Sequence, residues 1–321
     1  MRECLGRSAR SPAIVFGRNC AGENGRIEER RGESHMSIVM RGTDVAKSMK
    51  ETLVQEVLAL KERGIPPCLS IIRVGARPDD LSYERGARKR MDMTGIECRV
   101  TELPEDVSQE VFERTFSKLN EDPDIHGILL LRPLPESLDE EPVRAMIDPK
   151  KDVDGMSPVN MAKIFSGDET GFAPCTAEAV MEMLRYYGID PKGKKATVLG
   201  RSMVAGRPLA MLLLKEHGTI TVCHTRTEGL AEECANAQIL VAAAGKAKMV
   251  TEDMVGRGAV VVDVGINVDE TGGLCGDVDY DAAEGKASYI SPVPGGVGSV
   301  TSSVLAKHVV RSAGYCLHTL L

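Results

Sequence analysis

Aromatic side chains are scarce in this 321-residue chain: Trp is absent, and five Phe and six Tyr bring the aromatic share to only 3%. The net charge is −7, and no basic stripe is interleaved with aromatics, which excludes nucleic acid as a partner. No apolar run approaches the roughly 20 residues needed to cross a bilayer, so no membrane span is expected. Nine cysteines are present, but they form no CxxC pair and no Cys/His ligand spacing. An odd, scattered set points to reduced thiols in a cytoplasmic protein, with neither a disulfide framework nor a metal site. Internal repeats are also missing. Residues 1–35 lack the continuous apolar core of a secretory signal, and Glu23, Glu28, Glu29 and Glu33 make them too acidic for a transit peptide. They read as a disordered leader, with Met36 as the functional start.

The remainder is long enough for two domains of roughly 150 residues each. Val45, Met49, Leu53, Val57 and Leu60 recur about every four residues, which predicts an amphipathic helix ending at Gly64. Strand-like and helical runs then alternate. Strands are expected at 68–74, 97–103 and 125–131, with helices at 82–94 and 108–120. Such alternation specifies a parallel sheet covered by helices. Arg132-Pro133-Leu134-Pro135 stops the last strand, because proline neither continues a ladder nor tolerates helix before it. A second α/β series begins with a helix at 177–187 and places strands at 196–199, 219–223, 238–243 and 259–264. A final helix from Val300 to about Arg311 is positioned to return to the first domain.

Within the second series, the strand ending at Leu199 breaks at Gly200-Arg201-Ser202 and enters a helix after Gly206. A tight turn, close backbone approach and free amides at a helix N-terminus are what a dinucleotide phosphate requires. The spacing is not the common GxGxxG, and an ordinary strand–helix loop would show the same residues. About twenty residues on, where an NAD enzyme carries an acid for the ribose hydroxyls, the chain has His224-Thr225-Arg226-Thr227. Hydroxyls and a cation suit the 2′-phosphate of NADP better than a diol, although a solvent-exposed strand end would also be polar.

Nine segments in order carry a resemblance. They are Tyr83 ahead of Gly95, Gly127-Ile128-Leu129 leading to Pro133-Leu134-Pro135, Lys151-Asp152-Val153-Asp154-Gly155 and Pro174-Cys175-Thr176. Gly200-Arg201-Ser202, Cys223 to Thr227, Asp263-Val264-Gly265-Ile266-Asn267, Gly276-Asp277-Val278 and Pro294-Gly295-Gly296-Val297-Gly298 follow. Together they resemble the methylenetetrahydrofolate dehydrogenase/methenyltetrahydrofolate cyclohydrolase family from about Met36 to the C-terminus. The resemblance implies a two-domain α/β protein with a cleft: a folate-binding catalytic domain at 36–156 plus 291–321, and a Rossmann-like NADP domain at 157–290. It implies tetrahydrofolate derivatives as substrate and a homodimer formed through the cofactor domains. Tyr83 would stack on the pterin and aminobenzoyl groups. Asp154, or else Asp152, would accept hydrogen bonds from the pterin, although a DxD next to glycine also suits a capped turn. Pro294, Gly295 and Gly296 would lie along the cleft, with Gly265 and Ile266 on its cofactor side.

Two departures from the family pattern matter. The family's lysine four residues after the tyrosine is Ala87 here, and its glutamine two residues before Pro-Leu-Pro is Leu131. Moving a hydride from the methylene bridge to NADP⁺ needs stacking and orientation. Hydrolysing the resulting methenyl bridge also needs a proton-handling group. Arg88 and Lys89 point away from the Ala87 direction by roughly 100° and 200°. A dehydrogenase without cyclohydrolase activity is expected; a bifunctional enzyme using another base, and a catalytically silent folate- or NADP-binding regulator, are the alternatives.

Overall fold

The computed structural model describes residues 37–317, with side chains to Tyr315. The expected leader therefore lies outside the described residues. The first half runs β1 (Ile38–Val39), α1 (Gly42–Glu62), β2 (Cys68–Val74), α2 (Pro78–Thr94), β3 (Glu97–Leu103), α3 (Gln109–Glu121), β4 (Gly127–Leu130) and α4 (Glu141–Met146). Strands β3, β2 and β4 form a parallel sheet in that order, Ile71 lying between Val100 and Leu129. Every residue of β2 is buried, as a strand covered on both faces requires. Leu69 and Ile71 join the central core, while Cys68, Ile72 and Val74 pack with Phe112 and Phe116 of α3.

The second half runs α5 (Pro158–Ser166), α6 (Cys175–Tyr186), β5 (Lys195–Leu199), α7 (Gly206–Lys215), β6 (Thr219–Cys223), α8 (Leu230–Ala235), β7 (Ile239–Ala242) and β8 (Val260–Asp263). The antiparallel hairpin β9 (Asn267–Val268) and β10 (Leu274–Cys275), then α9 (Tyr280–Glu284), β11 (Tyr289–Ile290) and α10 (Thr301–Leu317) complete it. A six-stranded parallel sheet has the order β1-β11-β8-β7-β5-β6. Helix α10 packs on α1, α2 and α6 and reaches β2 and β4. Its Val304, Leu305 and Val309 share one core with Leu53 and Val57 of α1, Val180 and Leu184 of α6, and Leu209 and Leu213 of α7. The two sheets are thus joined by a continuous apolar layer. Ile38 and Val39 pair with Tyr289 and Ile290, so the first strand after Met36 belongs to the larger sheet while α1 packs on α2, α6 and α10.

Candidate active site

Helix α2 starts at Pro78 and is fixed to its sheet by a buried ion pair, Arg73 Nε to Glu84 Oε2 at 2.8 Å. Gly95 ends the helix in the left-handed conformation. Glu84 follows Tyr83, so the pair also fixes the direction of the tyrosine. Tyr83 is 37% exposed and faces a cavity of about 590 Å³. Leu129, Leu130, Leu131, Arg132 and Pro133 from the end of β4, together with Asp154, Thr176 and Val204, also line it. Partial desolvation, with Cys175 and Asp154 beside it, holds the Tyr83 phenol protonated well above its ordinary range. Thr301 at the start of α10 neighbours the phenol and partly opposes this shift.

The two aspartates of the Lys151–Gly155 segment separate. Asp152 is fully buried. Its carboxylate accepts from the Met156 and Ser157 amides at 2.9 and 2.8 Å and from the Asn160 amide group at 2.8 Å. It shapes the loop and does not face the cavity. Asp154 lines the cavity and accepts from the Cys175 amide at 3.1 Å. Its remaining oxygen lies 3.7 Å from the Arg132 guanidinium. Desolvation raises its pKa, opposed by the Cys175 amide and Arg132.

Ala87, one helical turn beyond Tyr83, is 1% exposed and sits in the central core with Met91. Leu131 belongs to that same core and presents an apolar edge to the cavity. Arg88 pairs with Glu84 at 3.6 Å with its side chain largely in solvent, and Lys89 is exposed. Neither takes the place of a lysine at 87.

On the cofactor side, Gly200 has φ +125°, and a Cβ there would lie 2.1 Å from the Ala243 carbonyl oxygen. A Cβ on Gly206 would meet the Gly200 carbonyl oxygen at 2.1 Å. The two glycines let the turn and the α7 N-terminus close on one another, leaving a backbone cradle of the kind a pyrophosphate fits. Ser202 Oγ accepts from the Ala205 amide at 3.1 Å and braces the turn. At the end of β6, the Thr227 hydroxyl accepts from the His224 amide, and His224 Nδ1 from the Arg226 amide, at 2.9 and 3.1 Å. Arg201, Thr225 and Arg226 are exposed, and neither arginine pairs with an acid among the described residues.

The Pro294–Gly298 loop is tied to α1 by the Gly42 amide, which donates to the Gly295 carbonyl at 2.8 Å. Gly298 faces the exposed Ile266, so the Gly265-Ile266 turn and this loop meet at one edge. Val204, on the glycine turn, reaches the cavity that holds Tyr83. Sequence reasoning did not single out Arg132, Arg73 or Glu84. For Arg132 the available signal was a lone cation between an apolar strand and a proline.

Comparison with known proteins agrees with this arrangement. Residues 40–154 match the tetrahydrofolate dehydrogenase/cyclohydrolase catalytic domain, and 174–316 the NAD(P)-binding domain of the same family. The Bifunctional protein FolD of Clostridioides difficile is 55% identical over 274 residues, 85% of this chain and 96% of that one. That of Alkaliphilus oremlandii is 54% identical over 277 residues, 86% and 97% of the two chains. Among solved structures, the bifunctional FolD enzyme of Campylobacter jejuni superposes with a TM-score of 0.85 at 38% identity, covering 87% of this chain and 99% of its own. The Trypanosoma brucei FolD enzyme, complexed with NADP cofactor and inhibitor, gives 0.83 at 38% identity, with 88% and 99% covered. The chain belongs to the tetrahydrofolate dehydrogenase/cyclohydrolase family, with a catalytic domain followed by an NAD(P)-binding domain.

Proposed function

We propose that this protein oxidises 5,10-methylenetetrahydrofolate to the 5,10-methenyl compound with NADP⁺ in the cytoplasm, and that it does not accelerate hydrolysis of that product. The observation that carries this reading is the cavity itself. It keeps the aromatic platform Tyr83 and the acceptor Asp154, while apolar Ala87 and Leu131 stand at the two proton-handling positions. Tyr83 stacks on the flat heterocycle, and Asp154 accepts from the donor edge of the pterin. Val204 borders the cavity, and Ile266 with the Pro294–Gly298 loop lies along the cleft beside the reacting faces. When bound, NADP⁺ supplies the hydride acceptor. The methenyl cation left behind is stabilised by its own two nitrogens, so no side chain needs to take a proton.

Arg201 with Thr225 and Arg226 supports NADP over NAD, because these exposed groups have no acidic partner among the described residues and no carboxylate stands at the end of β6 to repel a 2′-phosphate. A second reading, a bifunctional enzyme, is favoured by the relatives named bifunctional at 55% identity; it requires another carboxylate of the cavity, Asp79, Asp80 or Glu140, to handle the proton. One assay separates them. Purified protein, methylenetetrahydrofolate and NADP⁺ or NAD⁺ are followed at both the reduced-nicotinamide and the methenyl absorption bands. Stoichiometric build-up of the methenyl band supports the dehydrogenase-only reading, and its failure to accumulate overturns it.

The assembly proposed is a homodimer through the cofactor domain. Among the described residues strand β6 is an edge of the six-stranded sheet, and Phe165, Met203 and Val222 are exposed beside it around an apolar groove. Such an edge is a ready pairing surface for a second copy. Sedimentation equilibrium of Val222→Lys against the unaltered chain tests it.

A further inference from the structure

Three carboxylates close to the cleft, Asp152, Asp263 and Asp277, have their oxygens satisfied by backbone amides. Asp154 receives one amide, and what faces its other oxygen is a guanidinium. Arg132 stands between two acids, Nη2 at 3.7 Å from Asp154 Oδ2 and Nη1 at 4.0 Å from Glu140 Oε2. All three line the folate-sized cavity. The strand end delivers Arg132 there because β4 stops at Leu130 and the Leu131 side chain is committed to the core, leaving the next residue to turn outward before Pro133.

We infer that Arg132 is a positioning residue that holds the Asp154 carboxylate aimed at the pterin and favours its ionised form, and so sets the acidic limit of substrate binding. This rests on the proposed reading of the cavity. The pterin ring amide and its exocyclic amino group are both donors, and only the carboxylate form can accept from both. A protonated Asp154 would oppose a donor with a donor. The apolar wall of Leu129, Leu130 and Leu131 favours the protonated form, and Asp152, two residues away, adds to that tendency. Glu140 lies on the far side of Arg132, while the Tyr83 phenol and the Cys175 thiol, both held protonated, complete the surroundings. Arg132 is therefore the only cation among the described residues within 4 Å of the Asp154 carboxylate.

The test uses the full chain and steady-state NADP⁺ reduction from pH 5 to 9 for Arg132→Leu, Arg132→Lys, Asp154→Asn and the double variant Arg132→Leu/Asp154→Asn. Arg132→Leu should raise the KM for methylenetetrahydrofolate about tenfold, the loss expected from weakening one charge-assisted hydrogen bond. The KM for NADP⁺ should stay unchanged and kcat should fall less. The acidic limb of kcat/KM should move to higher pH, because removing the cation raises the pKa of Asp154. Arg132→Lys should restore the limb; should Arg132→Leu not fold, Arg132→Gln takes its place. In the Asp154→Asn background, loss of Arg132 should cost nothing further. An unmoved acidic limb, or additive losses in the double variant, overturns the inference while leaving the cavity assignment intact. If Asp154→Asn alone leaves the folate KM unchanged in an active enzyme, the cavity assignment itself is wrong.

Discussion

The two sides of the cleft use their buried carboxylates differently. On the cofactor side, Asp277 accepts from the Ala244, Gly245 and Lys246 amides and from Asn267, and Asp263 accepts from the Gly265, Asp277 and Val278 amides. These acids build the loops at the ends of β7 and β8 and have little capacity left for a ligand. On the folate side, Asp154 has one amide and a guanidinium at 3.7 Å, and it opens on a cavity. A carboxylate that shapes the fold is recognised by its full complement of donors, and Asp154, with one amide donor and its second oxygen facing Arg132, falls short of that complement.

The largest effect expected concerns groups absent from that folate side. Ala87→Lys with Leu131→Gln should create hydrolysis of the methenyl compound, by about 10²- to 10⁴-fold over the spontaneous rate, the typical contribution of a positioned acid/base. Either change alone should give less than its share, since the two groups act as a unit. Ala87 is packed in the core, so the lysine stem must lie along the apolar wall and reach the cavity with its amine. Decay of the methenyl band measured for both single variants and the pair checks this. No gain in the pair would mean that the site lacks room for the amine.

Next comes a direct test of the carboxylate comparison. Asp277→Ala would leave the Ala244, Gly245 and Lys246 amides of an exposed loop without their acceptor and should lower unfolding stability by about 1–3 kcal/mol. Asp154→Asn should change stability little but raise the folate KM. Chemical denaturation alongside kinetics measures both, and equal stability losses would erase the distinction drawn between the two acids.

Much of this architecture was legible in the sequence, since strands with both faces covered are short apolar runs and helices between them show a 3.6-residue period. Strands 68–74 and 219–223 agree with expectation to the residue. What escaped notice was short or depended on tertiary pairing. Ile38–Val39 has too few residues to show alternation, and its partner β11 lies some 250 residues away, as the Ile38–Tyr289 pairing shows. Helix α2 begins four residues before the expected Ser82, although Pro78 followed by Asp79 and Asp80 is a helix-start signal. Helices α4 and α5 are short and were not anticipated. Tyr83 and Asp154 came from the resemblance, and the structure brings them to one cavity. The burial of Asp152, the Arg73–Glu84 pair and the placing of Arg132 follow from packing that no local pattern encodes.

A smaller effect is expected at the cofactor turn. Replacing Arg201 or Arg226 with Gln should raise the KM for NADP⁺ about tenfold, as for one lost charge-assisted contact, and leave that for NAD⁺ nearly unchanged. Equal changes for both cofactors would remove these residues from recognition of the 2′-phosphate.

The smallest effect concerns acid stability of the unaltered protein, where two buried groups oppose one another. Desolvation lowers His308 to about 4, so it stays neutral in the fold, while the unfolded chain takes up a proton below about 6.5. Its contribution to stability is therefore lost as pH falls from 6.5 to 4. Desolvation raises Asp263 to about 6 in spite of its three amide donors. The folded form then holds a proton that the unfolded form has released, so its contribution falls as pH rises from 4 to 6. Each amounts to about 3 kcal/mol, and the two nearly cancel. Asp263→Asn removes one side of this balance. Its unfolding free energy, measured by denaturant titration at intervals from pH 4 to 7, should fall more steeply toward acid than that of the unaltered protein, whatever its absolute value at neutral pH. Parallel profiles for the two proteins would show that Asp263 is ionised across this range, and that its amide donors outweigh its burial just as they do at a carboxylate built purely to shape a loop.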